Sequence, residues 1–141
     1  VKIKRTSHKT VSKFELDCTT FPDIVQTLSC SSILCTEDSF FSGLKTLRIK
    51  ETDRIKALYN ELSKLGVKVL FEEESLSVLS HNSNVFDKLI LTYNDHRMAL
   101  SFAILVFYFG EISISDPLVV NKSYPEFWND LTRMGVCIDE S

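Results

Sequence analysis

Residues 48–58, RIKETDRIKAL, carry six charged side chains in eleven positions and run directly into an apolar helical pattern. Lys50 and Arg54 stand four apart, so at helical spacing both can approach one point, and the free N–H groups of a helix start add to their attraction for an anion. Glu51 lies four before Ile55, above the buried stripe. A carboxylate desolvated there would have its pKa raised and could hold a proton near neutrality, as a general acid must. A plainer reading is open as well: Thr52 or Asp53 caps the helix and the other charges pair in solvent.

A second candidate is TYNDHRMALSFAILVFYF, residues 92–109, where His96 and Arg97 occupy the positive end of a very apolar helix. That placement is electrostatically adverse unless a carboxylate or phosphate lies between them, since guanidinium grips such groups as a paired fork. Alternatively, Asp95 caps the helix and pairs with Arg97 while His96 faces solvent. Asp23 in TTFPDIVQ reads as ordinary first-turn grammar after Pro22, and Lys122 in VVNKSYPEFW follows Asn121, itself a plausible cap. Phe127 and Trp128 read as packing groups, and Cys30 and Cys35 as buried thiols.

These residues need elements to position them. A strand is expected over 13–17, where Phe14 and Leu16 alternate with polar neighbours, followed by a helix from Pro22 through Ile24, Val25, Leu28 and Ile33. A second strand is expected over 44–49. A second helix then presents Ile55, Leu58, Tyr59, Leu62 and Leu65 on one face and stops at Gly66. VKVLFEEESLSVLS after it reads as two strands joined by an acidic turn. The pattern then returns: TFPDIVQTLS and TYNDHRMALS share residue types at an offset of 72, and Asp23 to Lys50 and Asp95 to Lys122 both span 27 positions. LSKLGVKV is echoed by LTRMGVCI. Two copies of one strand-helix-strand-helix-strand unit are inferred, the first closed by an extra strand. An Asp opens the first helix of each copy and a Lys the second, so equivalent ends can converge on one surface.

The totals bound the partners. With 44% hydrophobic and 25% charged residues in 141, the chain can bury one core, and a net charge of −3 argues against a sequence-independent grip on nucleic acid. The apolar run 99–109 has 11 residues, far short of the roughly 18 a bilayer span needs, and reads as a core helix. Cys18, Cys30, Cys35 and Cys137 form neither a C-x-x-C pair nor a zinc-like array, which points to reduced thiols in a cytosolic protein without a metal site. The chain opens without Met in strand-like text, as a piece of a longer protein would.

Together LRIKETDRIKAL, YNDHRMALSFA and NKSYPEFW closely resemble the EPSP synthase (3-phosphoshikimate 1-carboxyvinyltransferase) family of enolpyruvyl transferases, over about residues 14–136. The resemblance implies an α/β fold, part of an inside-out α/β barrel built from repeated βαβαββ units with helices packed inward. This chain would hold the last two units of the C-terminal domain, approximately 14–80 and 86–138. The N-terminal domain would be absent and the fragment inactive alone. It further implies transfer of the enolpyruvyl group of phosphoenolpyruvate to the 5-hydroxyl of shikimate 3-phosphate in the cytoplasm. That transfer passes through a tetrahedral phosphorylated intermediate and uses no metal, organic cofactor, nucleic acid or membrane.

By motif, Asp23 resembles the carboxylate that contacts the shikimate ring and accepts a proton, and Glu51 the acid that handles the proton at the enolpyruvyl methylene. Lys50 is similar to a shikimate-phosphate ligand. Arg54, Arg97 and Lys122 match the basic residues around phosphoenolpyruvate, and His96 beside them assists proton traffic. Thr46 stands where some members have a substrate-binding Asn, and its hydroxyl would have to substitute. The competing readings are the sister transferase acting on UDP-N-acetylglucosamine, and a non-catalytic α/β module. Severed from partner strands, the chain is also expected to self-associate.

Overall fold

Alternation around Phe14 and Leu16 yields a short strand, β1 (Glu15–Asp17), and Pro22, with its preset φ, opens a 3-10 turn (Pro22–Ile24) that continues into α1 (Val25–Ser31). The computed structural model describes residues 11–79 and 85–139; the strand-like text at the start of the chain and Ser80, at the edge of the first expected unit, lie outside the described residues. After a further 3-10 turn (Ser32–Leu34), β2 (Ser39–Ser42) runs parallel to β1, with Glu15 opposite Phe40 and Asp17 opposite Ser42.

Residues 44–49 do not form the expected strand. Lys45–Ile49 is a 3-10 helix, and β2 lies upstream of it. Burial follows a period of three: Leu44 and Leu47 are fully buried while Ile49 is 83% exposed, which an alternating strand could not produce. Gly43 makes the switch possible. Its φ is +72°, and a Cβ there would meet Thr19 Oγ1, Asp17 Oδ1 at 2.6 Å and the Thr19 backbone N at 2.7 Å.

α2 (Arg54–Lys64) buries Ile55, Leu58 and Leu62 of its expected face along with Leu65 just beyond it, whereas Tyr59, expected on the same face, is exposed and stacks edge-on with Phe71; the chain then turns at left-handed Gly66. Each such side chain contributes about 1.5–3 kcal/mol on leaving water. β3 (Val69–Phe71) and β4 (Leu76–Val78) form the hairpin around the acidic turn. β4 pairs antiparallel with β2, giving one sheet of order β1-β2-β4-β3.

A second parallel pair follows. β5 (Leu89–Ile90) and β6 (Ser113–Ile114) are joined through α3 (His96–Ala103) and α4 (Val106–Phe109). The run 99–109 is therefore two helices rather than one. The Leu105 N–H bonds back three residues to the Phe102 carbonyl at 3.0 Å, tightening the chain, and the continuation turns Phe107 and Tyr108 to solvent. A 3-10 stretch (Pro117–Lys122) leads to α5 (Phe127–Arg133). The echo of β3 at 136–138 is not a strand. Val69 has β4 to pair with, whereas no described strand follows α5 to receive that segment.

α1 packs against both α2 and α3, and the main core runs between these helices and the four-stranded sheet through Val25, Phe41, Leu58, Met98 and Phe102. A smaller cluster joins Ala99 and Ala103 of α3 to Val120, Phe127 and Leu131. Cys18 and Cys30 are buried thiols, and burial pushes the Cys30 pKa up, whereas Cys35 is only partly covered. Among the described residues no helix is long and apolar enough to cross a membrane.

Candidate active site

α2 begins at a cap. Asp53 has extended backbone, and its carboxylate accepts the Lys56 N–H at 3.1 Å. Arg48 braces the cap from below, donating to Asp53 Oδ2 at 2.9 Å and to the carbonyls of Glu72 and Glu73 in the β3–β4 turn at 2.6 and 2.7 Å. Residues 50–52, between the Lys45–Ile49 3-10 helix and the cap, are not helical, so Lys50 and Arg54 converge through an extended turn rather than helical spacing. They meet on one atom: Lys50 Nζ is 3.5 Å and Arg54 Nη1 2.9 Å from Asp23 Oδ1.

Arg54 is the hub. Its side chain is 2% exposed, and it donates through Nε to Asp95 Oδ2 at 2.6 Å, through Nη2 to Asp95 Oδ1 at 3.3 Å, and through Nη2 to Glu51 Oε2 at 2.7 Å. Asp95, fully buried, also caps α3 by accepting the Arg97 N–H at 2.9 Å. The cap expected of Asp95 is present, but its ion-pair partner is Arg54 instead of Arg97. Arg97 reaches Asp23, donating to its carbonyl at 2.8 Å and lying 3.4 Å from its carboxylate. His96, which separates Asp95 from Arg97 in the chain and whose charge acts on Glu51, is partly covered, and its Nδ1 is buried with no hydrogen-bond partner among the described residues.

Two predicted residues sit at the margin. Lys122 is exposed at the end of its 3-10 stretch, several residues before α5, and joins the cluster through Asn94 Oδ1 at 3.4 Å. Thr46 is exposed on the Lys45–Ile49 turn, which packs against the Pro22–Ile24 turn carrying Asp23.

The Glu51 carboxylate does not match its expected electrostatics. Its side chain is 41% exposed, and its pKa is lowered rather than raised. A hydrogen bond from its own backbone N–H, then the charges of Arg54, His96 and Lys50, outweigh the upward pull of burial. For Asp23 burial is the largest single influence and pulls upward, but Arg97, Lys50 and Arg54 together hold its pKa below the ordinary value. Both acids are therefore carboxylates at neutral pH, and each would have to receive a proton before it could donate one.

Three cations (Lys50, Arg54, Arg97) and three carboxylates (Asp23, Glu51, Asp95) thus balance one another. The partly exposed Lys50 and Arg97 can be shared with an incoming anion more readily than buried Arg54. Leu16, Phe21, Ile24, Thr27 and Leu28 line an open groove that ends at Asp23 and Arg97. No group of three or more His, Cys, Asp or Glu side chains among the described residues is disposed to hold a metal ion.

Asp95's grip on Arg54 escaped sequence reading because the partner lies 41 residues away. Its correspondence with Asp23 at the 72-residue offset was the available signal. Glu61 escaped too, although a charge at a buried position of the α2 stripe marks it.

Residues 1–131 match the family model for EPSP synthase (3-phosphoshikimate 1-carboxyvinyltransferase). A 3-phosphoshikimate 1-carboxyvinyltransferase of Bacteroides fragilis is 40% identical over 129 residues, which are 89% of this chain and 31% of that protein. One from Methanospirillum hungatei is 38% identical over 85% of this chain and 27% of its own length. The chain thus spans less than a third of the length of these curated relatives. Among solved structures, EPSP synthase from Acinetobacter baumannii superimposes with a TM-score of 0.70 at 24% identity, over 79% of this chain and 27% of its own. The fold is therefore that of a partial inside-out α/β barrel. Motifs, fold and relatives agree, and the chain belongs to the EPSP synthase family.

Proposed function

We propose that the protein to which this chain belongs transfers the enolpyruvyl group of phosphoenolpyruvate to the 5-hydroxyl of shikimate 3-phosphate in the cytoplasm, releasing phosphate. In this reading approximately 14–80 and 86–138 are two units of the βαβαββ repeat, the second described only as far as the segment after α5, and further phosphate ligands come from an N-terminal domain outside this chain. The observation that carries the reading is the meeting of Asp23, Lys50, Glu51, Arg54 and Arg97 at one junction, from segments up to 74 residues apart.

Asp23, ionised between three cations, is suited to accept the proton of the attacking hydroxyl. Glu51 takes up a proton to deliver to the methylene carbon and removes one when phosphate leaves, with His96 assisting proton traffic. Lys50 and Thr46 face shikimate 3-phosphate; Arg54, Arg97 and Lys122 face phosphoenolpyruvate. Cations preorganised in this way stabilise charge that develops on the transferring group and can lower a barrier by several kcal/mol.

The test is phosphate release by the full-length protein with phosphoenolpyruvate and either shikimate 3-phosphate or UDP-N-acetylglucosamine. Turnover is expected with shikimate 3-phosphate. Turnover with the nucleotide sugar alone would reassign the protein to the sister transferase, and none with either acceptor would favour a non-catalytic module.

A further inference from the structure

Tyr93 and Asn94 have φ of +54° and +57°, a left-handed pair directly before Asp95, His96 and Arg97. For a bulky residue such as Tyr this conformation is costly and persists only where the surroundings impose it. The surroundings are on α2. The Tyr93 hydroxyl donates to Glu61 Oε1 at 2.7 Å and accepts from Asn60 Nδ2 at 3.3 Å, while the Leu91 N–H donates to Glu61 Oε2 at 2.9 Å. Glu61 is 1% exposed, and its one cationic partner among the described residues is Lys64, whose Nζ also reaches the Leu89 carbonyl at 2.6 Å. Each oxygen of a buried carboxylate is thus committed to the segment that leads into the second motif.

Glu61 follows Arg54 by seven residues, two helical turns along the same face. α2 therefore grips the 91–97 segment twice, through Arg54–Asp95 at its start and through Glu61–Tyr93 farther along. Within the left-handed pair Asn94 holds Lys122, and beyond it Arg97 reaches Asp23. Changing φ at Tyr93 would swing both contacts together.

We propose that Glu61 and Tyr93 form a positioning latch that holds the 93–94 turn left-handed, so that Asn94, Arg97 and, through Asn94, Lys122 face the substrate anion. The kinetic part of this inference rests on the function proposed above; the conformational part does not. The test uses Tyr93→Phe and Glu61→Gln in the full-length protein, read by amide hydrogen exchange over residues 91–97 and by steady-state kinetics. A hydrogen bond to a charged group is commonly worth a tenfold or larger effect. Tyr93→Phe should speed exchange in 91–97 and raise KM for phosphoenolpyruvate about tenfold, with a smaller change in KM for shikimate 3-phosphate.

Glu61→Gln should do the same, and combining the two should add little, because either alone opens the latch. If Glu61→Gln does not fold, Tyr93→Phe with Asn60→Ala carries the test. A fall in thermal midpoint with exchange in 91–97 and both KM values unaltered would show a merely structural contact and overturn the latch. If the unsubstituted protein shows no turnover, the proposed function fails, and the exchange measurement alone decides the latch.

Discussion

Replacing Asp95 by Asn removes one charge from the best-buried ion pair in the site and little else. The shape is kept, and Asn caps a helix about as well as Asp. The Arg54 guanidinium, 2% exposed, then loses the carboxylate that receives its Nε and one Nη2 contact. Breaking a buried pair from one side costs about 3–5 kcal/mol. Asp23 and Glu51 still hold Arg54 at 2.9 and 2.7 Å, but at 43% and 41% exposure their attraction is partly screened by water. The loss should fall near the lower limit, about 3 kcal/mol, and Asp95→Ala should lose about 1 kcal/mol more with the cap.

Arg54→Met alone strands Asp95 and should cost a similar amount. The double variant buries neither charge, so its loss should fall short of the sum by about 2–3 kcal/mol. Urea denaturation of the full-length proteins, compared at equal m, measures all four corners. A loss below about 1 kcal/mol for Asp95→Asn, or strict additivity in the cycle, would refute the claim that this pair organises the site.

Other outcomes follow from the same geometry. On the function proposed above, Glu51→Gln in the full-length protein should retain ligand binding yet slow turnover about 10²–10⁴-fold, and unchanged turnover would remove Glu51 from proton transfer. Arg97→Ala should weaken phosphoenolpyruvate binding about 10–100-fold, which titration calorimetry would read; unaltered affinity would exclude it. Gly43→Ala should destabilise by about 1–3 kcal/mol, since it combines left-handed backbone with collision against Asp17 and Thr19; a thermal midpoint equal to that of the parent would refute the close approach.

Asp23 and Glu51 have folded pKa values depressed below 3.8 and 4.5, so their stabilisation is complete above those values and is lost as pH falls through the lower folded ones. Denaturation midpoints should therefore show no pH-dependent change from this pair between pH 7 and 5.5, where its contribution is fully present, and an acid decline that Asp23→Asn reduces. An unaltered decline in that variant would contradict the charge pairing.

Pattern was most reliable where one local cause sufficed. Pro22 marks the entry to α1, Asp53 caps α2, and the aliphatic positions of the α2 stripe are buried as their period requires, with Tyr59 left at its exposed edge. It failed at 44–49, where a three-residue period resembled alternation over too short a window, and at 99–109, where an all-round apolar run gives no sign of a break. The desolvation expected of Glu51 failed for a related reason. Distance from a buried stripe says nothing about which cation will lie beside a carboxylate.

From residue types and spacing came the α/β character and the residues at issue, because turn residues and apolar periods act within a few positions of themselves; the family came from the resemblance of three motifs to those of known enolpyruvyl transferases. The three-dimensional arrangement decided their chemistry. It made Arg54 a buried hub, gave Asp95 to Arg54, and left Asp23 ionised between three cations. Coulomb energy and solvation depend on distances through space and on what excludes water, and segments up to 74 residues apart acquire both only when the helices pack.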